Sequence, residues 1–308
     1  MPQASFLQKG DKIAITSTAR HVETSEMTLG IDLAAKAGWE VRMDASIGRQ
    51  HHIFAGTMAE RAESLQILLD DGEIKAIWFA RGGYGSLQLL PLLDWTTYMR
   101  KPKWLIGFSD ICYLLNCSLN LGISAIHGPM PRTLLSSSNP QQDMTELIHC
   151  LAGNALENRW KGESYYFESA VKGRLVGGNL ATLYAQYPSL SKAYFQSSLL
   201  FIEEIDEYLY QIDRMLRAMV MSGRLNGVKV VIVGQMTGVK DNEESFGVPL
   251  RSMIKEALQP LNVPILFDFP AGHEDRNQAI ILGDTYELNK ENEGMICLKS
   301  LQSHRDFI

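Results

Sequence analysis

The chain has 308 residues, of which 45% are hydrophobic, and its formal net charge at pH 7 is −6. This negative charge argues against nucleic acid or an anionic membrane surface as the main partner. The length predicts two domains, and the hydrophobic content is sufficient for a sizeable core in each. No basic stretch followed by a long apolar run opens the sequence, so we expect no signal peptide, no membrane span and a cytoplasmic location.

The first half of the chain alternates strand-like and helical segments. The pattern predicts strands at 11–17, 39–43, 74–80, 104–106 and 123–126, and helices at 27–37, 58–69 and 111–119. Such alternation implies right-handed βαβ units and a mainly parallel sheet of the Rossmann or flavodoxin type. Sites in these sheets lie beyond the carboxyl ends of the strands, which here are followed by the loops 81–86, 107–110 and 127–129.

The pattern changes after residue 136. A helix is predicted at 144–152, and the polar, irregular stretch 153–164 is predicted to be a linker. Beyond it, the pattern predicts strands at 199–204, 228–233, 264–269, 279–283 and 294–299, and helices at 210–221 and 248–258. We therefore expect an α/β protein with an N-terminal sheet domain at 1–152 and a smaller, β-rich mixed domain at 165–308.

Ser109 lies at the bend of a predicted strand–turn–helix segment. That layout is typical of a nucleophile elbow, in which a serine hydroxyl is exposed at the N-terminus of the following helix. The match is imperfect, because Ile111 stands where the G-x-S-x-G pattern requires glycine. The same residues could form an ordinary N-cap, with Ser109 or Asp110 accepting the first helical N–H groups.

The glycine-rich loop 81–86, with the sequence RGGYGS, follows a predicted strand directly. Glycines let backbone N–H groups approach an anion, so the loop could cradle a phosphate or direct an N–H toward an oxyanion beside Ser109. The loop matches neither the dinucleotide-binding fingerprint nor the Walker A pattern. A tight turn that merely requires glycine is the alternative.

Two histidines follow predicted strands and are candidate bases, His127 and His273. Glu203 and Glu204 end an apolar strand, where a carboxylate must be paired or face a polar cleft. Either acid could orient an imidazole, as the third member of a hydrolytic triad does. The alternative is that the two acids simply begin a charged loop.

No metal site or cofactor is predicted. The sequence has no H-x-x-x-H or H-E-x-x-H pair, and its four cysteines show no C-x-x-C spacing. Free thiols in a reducing compartment are expected at the four positions Cys112, Cys117, Cys150 and Cys297.

A series of short motifs occurs in a fixed order along most of the chain, from about Gly10 to Asn289. The motifs are ARGGYG at 80–85, GFSD at 107–110, GPM at 128–130, GGNL at 177–180, FIEE at 201–204 with DRML at 213–216, and Gly272-His273. This series resembles the serine-type LD-carboxypeptidase family of peptidoglycan recycling, whose relatives include microcin C immunity hydrolases.

The resemblance implies a role for individual residues. The family's Ser-Glu-His triad falls on Ser109, Glu203 and His273, and its oxyanion donors fall on the backbone N–H groups of Gly83 and Asp110. The choice of Glu203 over Glu204 rests on this alignment alone. The resemblance also implies an α/β domain followed by a smaller β-rich domain, a triad drawn from both, and a homodimer.

The expected function is therefore that of a metal-independent serine peptidase that releases the terminal D-Ala of a murein tetrapeptide. An exopeptidase must also recognise the free terminal carboxylate, and Arg81 beside the glycine loop is the predicted residue. Two alternatives remain open: a microcin C-type peptide–nucleotide amidase, and a non-catalytic protein that binds a sugar or nucleotide through the loop 81–86.

Overall fold

The computed structural model describes residues 3–301, so positions 302–308 of the predicted C-terminal domain lie outside the described residues. The chain forms two compact units. The first contains residues 3–155 and Asp275–Gly283, and the second contains Leu156–Glu274 and residues 284–301. Each unit is built around one sheet.

The strands, in chain order, are β1 (Lys12–Thr16), β2 (Glu40–Met43), β3 (Ile74–Phe79), β4 (Trp104–Gly107), β5 (Ala125–His127), β6 (Glu157–Lys161), β7 (Ser164–Tyr165), β8 (Val171–Asn179), β9 (Ser198–Ile205), β10 (Val228–Thr237), β11 (Ile265–Leu266), β12 (Ile280–Leu282), β13 (Thr285–Lys290) and β14 (Met295–Ser300). The α-helices are α1 (Thr28–Lys36), α2 (Met58–Asp70), α3 (Thr96–Arg100), α4 (Cys112–Asn120), α5 (Pro140–Ala152), α6 (Leu180–Gln186), α7 (Leu209–Met221) and α8 (Leu250–Leu258). Short 3₁₀ turns include Ser86–Leu92 and Ser109–Ile111.

The sheet of the first unit has the strand order β12-β5-β4-β3-β1-β2. Strands β1 to β5 are parallel to their neighbours, and only β12 runs antiparallel. The central strands β3 and β4 are buried almost throughout, as expected for a parallel sheet with both faces covered. The predicted parallel α/β sheet is confirmed.

Helix α2 shows how local sequence produces an element of this unit. The Thr57 side chain accepts a hydrogen bond from the Glu60 backbone N–H, and the Glu60 carboxylate accepts one from the Thr57 N–H, which together form a capping box. One face of the helix is then buried through Leu65, Leu68 and Leu69. Thr57 is thus the N-cap of α2.

The sheet of the second unit has the order β6-β14-β13-β8-β9-β10-β11-β7. Its centre, from β8 to β11, is parallel, and its two sides are antiparallel. Helix α7 turns an apolar face inward, with Ile212, Met215, Leu216 and Met219 buried. The predicted β-rich mixed domain is confirmed, and β9 lies in the middle of its sheet.

Two predicted boundaries were wrong. The stretch 153–164 is not an open linker, because it contains β6, which pairs with β14 in the second sheet. The segment Asp275–Gly283 belongs to the first unit, because β12 pairs with β5 rather than with a strand of the second sheet. Both errors have one cause: the residues of an edge strand do not encode which distant strand completes their hydrogen bonds.

Within the described residues 3–301, no helix has the length and apolar character that crossing a membrane requires.

Candidate active site

Ser109 occupies a strained turn between β4 and α4. Its φ angle is +62°, in the left-handed region that a non-glycine residue adopts at a cost of about 1–3 kcal/mol. The turn Ser109–Ile111 carries no side-chain N-cap, and neither does α4. The ordinary N-cap alternative is therefore wrong, and the strained serine turn has the layout of a nucleophile elbow.

The Asp110 side chain supports the glycine-rich loop instead of capping the helix. Its carboxylate is 4% exposed and accepts hydrogen bonds from the backbone N–H groups of Gly85, at 3.2 Å, and Ser86, at 2.9 Å. Burial raises the pKa of this carboxyl, while the two N–H donors and the positive charge of Arg61 oppose that rise. The turn after β4 is thus tied to the loop after β3.

Arg61 on α2 holds the same loop from the other side, a role that sequence reasoning missed. Its guanidinium is 1% exposed and donates to the carbonyl oxygen of Gly85 at 3.1 Å and to Gln88 Oε1 at 2.8 Å. It also lies over the Phe54 ring, with 4.7 Å between the guanidinium carbon and the ring centroid. An arginine among the buried positions of a helix was the available signal, since a buried charge requires polar partners.

Gly82 is the loop residue that faces Ser109. A Cβ atom on Gly82 would lie 2.9 Å from Ser109 Cβ, 3.1 Å from Ser109 Oγ and 3.4 Å from the Asp110 backbone nitrogen. The next residue, Gly83, is exposed and has a φ of +121°. The structure therefore brings together Ser109, the backbone of Asp110 and the glycine loop. Within that loop, the residue in contact with Ser109 is Gly82, which the sequence analysis did not single out.

Glu203 and His273 form a close pair in the second unit. Glu203 Oε2 lies 2.7 Å from His273 Nδ1, and the two side chains are 0% and 13% exposed, respectively. Glu203 is fully buried because it stands near the end of β9, in the middle of the sheet. An imidazole held at Nδ1 by a buried carboxylate has the orientation that a general base requires.

The turn before His273 is shaped to bring the imidazole to this carboxylate. Gly272 has a φ of +142°, and a Cβ there would lie 2.9 Å from Gln235 Cβ and 3.3 Å from Glu203 Oε2. The side-chain oxygen of Gln235 accepts the backbone N–H of Glu274 at 2.7 Å. The loop is thus fixed on both sides of His273, and Gln235 is a second residue that sequence reasoning missed.

Glu204 has a different environment from Glu203. It accepts hydrogen bonds from Asn179 Nδ2 at 2.8 Å, the Ala181 N–H at 2.6 Å and the Ile205 N–H at 2.8 Å. Burial and the neighbouring charge of Glu203 raise its pKa to about 7, although these donors oppose the rise. Glu204 therefore ties β9 to the start of α6, and the imidazole is bonded to Glu203.

His127, the rival base, is buried in β5. Its side chain is 0% exposed and packs beside Phe108, with 5.7 Å between ring centroids, while its backbone is in register with Gly107 and Ile280.

The predicted carboxylate-binding residue, Arg81, is only partly accessible and donates from Nη1 to the carbonyl oxygen of His21 at 3.2 Å.

In the part of the chain that the structure describes, no three His, Cys, Asp or Glu side chains are grouped so that they could hold a metal ion.

Comparisons with known proteins show which family the chain belongs to. Residues 13–128 match the LD-carboxypeptidase N-terminal domain, and residues 172–288 match the LD-carboxypeptidase C-terminal domain. The murein tetrapeptide carboxypeptidase of Pseudomonas aeruginosa is 29% identical, over 89% of this chain and 92% of its own length. The microcin C7 self-immunity protein MccF of Escherichia coli is 24% identical, over 95% of this chain and 94% of its own length.

The fold is also that of a solved structure. The muramoyltetrapeptide carboxypeptidase of Oxalobacter formigenes superposes with a TM-score of 0.82 at 24% identity, and the match covers 93% of this chain and 98% of the other. The two matched domains together span more than half of the chain. This protein is therefore a peptidase that belongs to the LD-carboxypeptidase family.

Proposed function

We propose that this protein is a serine-type LD-carboxypeptidase that cleaves the bond between an L-centre and a terminal D-Ala in a murein tetrapeptide. The observation that carries the proposal is the 2.7 Å contact between the buried Glu203 carboxylate and His273 Nδ1. A metal-independent peptidase needs such a base to activate a hydroxyl nucleophile, and the strained turn at Ser109 supplies the hydroxyl.

The proposed reaction proceeds by acyl transfer through the serine. Ser109 Oγ attacks the scissile carbonyl while His273 Nε2 takes its proton, and the negative charge of Glu203 stabilises the resulting imidazolium. The backbone N–H groups of Gly83 and Asp110 are proposed to bind the oxyanion of the tetrahedral intermediate. His273 then protonates the amine of the departing D-Ala. In the second half, His273 takes a proton from water as the water attacks the acyl-enzyme carbonyl, and the imidazolium returns that proton to Ser109 Oγ as the shortened peptide leaves.

The wider role follows from this chemistry and from the relatives. The murein tetrapeptide carboxypeptidase relative supports a murein peptide as the substrate. A role in peptidoglycan recycling is part of our proposal. A cytoplasmic location and a homodimer belong to the same proposal. Arg81 remains the residue predicted from the sequence to bind the terminal carboxylate.

Incubation with matched tetrapeptides tests the substrate. We expect release of alanine, read by mass spectrometry, from a tetrapeptide with an L–D terminal bond and none from its L–L counterpart. Equal release from both would contradict LD specificity. The relative MccF supports one rival, a peptide–nucleotide amidase. Such an enzyme would release no alanine from either tetrapeptide and would instead cleave an aminoacyl nucleotide amide offered as a third substrate. A non-catalytic binding protein would show neither activity, and Ser109 would not be labelled by a fluorophosphonate.

Gly82→Ala is expected to lower kcat by about 10²-fold or more, because an atom displaced by about 1 Å from a reactive geometry costs that much. The new Cβ would lie 2.9 Å from Ser109 Cβ, so the serine would have to move. Gly72→Ala is the matched control, because a Cβ there meets only Lys101 Nζ, at 3.6 Å. Wild-type turnover by a folded Gly82→Ala protein would contradict the placement of the loop against the nucleophile.

The pH profile of kcat/KM should report His273. Burial lowers the pKa of this imidazole, but the charge and hydrogen bond of Glu203, with smaller contributions from Glu204 and Asp206, outweigh burial and raise the pKa above its ordinary value. A base must be neutral, so activity should fall as the pH drops through this raised pKa, above the ordinary value of about 6.5.

Removal of the Glu203 charge should shift the acidic limb of the kcat/KM profile, the part in which activity falls as the pH drops. In Glu203→Gln, burial remains and the main opposing charge is lost, so the limb is expected to shift to lower pH. Glu204→Gln should shift it less, because Glu204 contributes less to the His273 pKa. An acidic limb that is unchanged in Glu203→Gln would mean that His273 is not the titrating base.

A further inference from the structure

Several arginines lie in the loops at the carboxyl edge of the first sheet, and three of them follow β1, β3 and β5. Arg20 follows β1, Arg81 follows β3 and Arg132 follows β5, whereas Ser109 follows β4 in the same sheet. Because parallel strands present their carboxyl ends at one edge, the loops that carry these guanidinium groups share an edge with the serine turn.

The three arginines differ in what they already bind. Arg132 Nε pairs with Glu26 Oε1 at 2.8 Å, and Arg81 Nη1 donates to the His21 carbonyl oxygen at 3.2 Å. Arg20 is exposed, and among the ion pairs of the described residues none involves its guanidinium. Of these three arginines, Arg20 is therefore the exposed one, and its charge is available to a ligand.

The electrostatics of the edge favour an anion. Burial lowers the pKa of Arg81, and the positive charges of Arg132 and Arg20 lower it further, with only Glu26 acting in the opposite direction. Like charges held close together in a partly buried place repel one another. A bound carboxylate would relieve that repulsion.

Arg20 also lies directly on the glycine loop. A Cβ on Gly83 would be 2.8 Å from Arg20 Cγ and Cδ and 3.1 Å from Nε. Because Gly83 has no Cβ, the aliphatic part of the Arg20 side chain can pack against the loop, and glycine also adopts the φ of +121° found there. The guanidinium is thus held beside the backbone whose N–H is the proposed oxyanion donor.

We propose that Arg20 recognises the free terminal carboxylate of the substrate and that Arg81 supplies a second positive charge behind it. The inference rests on the proposed function. It assigns the direct contact with the substrate's terminal carboxylate to Arg20, where the sequence had predicted Arg81. It makes Arg20 a specificity-determining residue for exopeptidase cleavage.

The reach of the substrate fits this assignment. In a terminal residue, the carboxylate carbon is one residue beyond the scissile carbonyl carbon, a span of at most about 3.6 Å. The group that binds the carboxylate must therefore lie within a few ångströms of the oxyanion donors. Arg20, in contact with Gly83, meets that requirement, and its planar fork matches a carboxylate in bidentate geometry.

The test compares two peptides that differ only at the terminal carboxylate. An L–D tetrapeptide with a free C-terminal acid and the same peptide as its C-terminal amide are given to the wild type, Arg20→Ala, Arg20→Lys and Arg81→Ala. The matched control is Arg42→Ala, which removes an exposed arginine that pairs with Asp71 at 3.1 Å. The readout is kcat/KM for release of alanine or alaninamide, by mass spectrometry.

We expect the wild type to prefer the acid and Arg20→Ala to lose about 10- to 100-fold of kcat/KM on the acid with little change on the amide, since a charge-assisted pair is lost. Arg20→Lys should be intermediate, because it keeps the charge and loses the fork. Arg42→Ala should keep the wild-type preference.

Two results would overturn the assignment while the proposed function stands. One is a wild type that hydrolyses acid and amide equally. The other is an Arg20→Ala protein that retains the preference for the acid, whether or not Arg81→Ala abolishes it. A folded wild type that hydrolyses neither peptide would instead overturn the proposed function, and this inference with it.

Discussion

Ser109→Ala is expected to lower kcat by about 10⁴-fold or more, because the members of a catalytic triad act as a unit. The reason lies in the turn after β4, which holds the serine at a φ of +62° with Gly82 against its side chain. The measurement is release of alanine from an L–D tetrapeptide, with folding checked by circular dichroism. The residual rate should come from binding and the oxyanion donors alone.

Ser109→Gly provides the matched variant. It should be as inactive as Ser109→Ala and more stable toward denaturant by about 1 kcal/mol, because glycine adopts positive φ without the strain of a Cβ. If either folded variant turned over substrate at a rate near that of the wild type, Ser109 would not be the nucleophile. If Ser109→Gly were the less stable of the two, the turn would not be strained.

His273→Ala is expected to reduce kcat about as strongly as Ser109→Ala, whereas His127→Ala should retain most of the activity. His273 is bonded to Glu203 at 2.7 Å. His127 is 0% exposed within the first sheet, so its replacement should instead create a cavity and lower the free energy of unfolding by about 2 kcal/mol or more. Steady-state kinetics and urea unfolding of both variants separate the two effects. An inactive His127→Ala protein beside an active His273→Ala protein would reverse the assignment.

The two neighbouring acids provide a control for the same prediction. Glu203→Gln should lower kcat, although less than His273→Ala, because the carboxylate only orients and stabilises the imidazole. Glu204→Gln should act mainly on stability, by about 1–3 kcal/mol, because an amide NH₂ would face the N–H groups that Glu204 accepts. A larger kcat loss in Glu204→Gln than in Glu203→Gln would place the catalytic acid one residue later.

The tertiary structure also bears on attempts to separate the domains. A fragment that ended at residue 152, the predicted boundary, would lack β12 and leave β5 as an unpaired edge of the first sheet. The segment that carries β12, Asp275–Gly283, belongs to the first unit although it lies in the chain between two parts of the second unit, so a cut at one position does not separate the two units. Experiments on this protein should therefore use the full chain.

Much of the fold could be predicted from the sequence because its determinants are local. The first strands and helices follow from apolar periodicity, and Thr57 with Glu60 specifies the start of α2 through contacts three residues apart. The Ser109 turn was recognisable as a strand-to-helix bend, since both flanking patterns lie within the same short stretch. Glu203 and His273 were candidates from their positions after or at the ends of strands, but only the family resemblance paired them, because they lie too far apart in sequence for any local pattern to do so.

The remaining features were decided by contacts between distant segments. Local sequence did not distinguish Glu203 from Glu204, because adjacent residues of a strand face opposite sides, and only the folded sheet shows that one side holds His273 and the other the start of α6. His127 had the same local setting as a catalytic histidine until the sheet enclosed it. The sequence by itself thus determined the elements and the candidate chemistry, whereas burial and long-range pairing, which arise only on folding, decided which candidate groups are positioned to react.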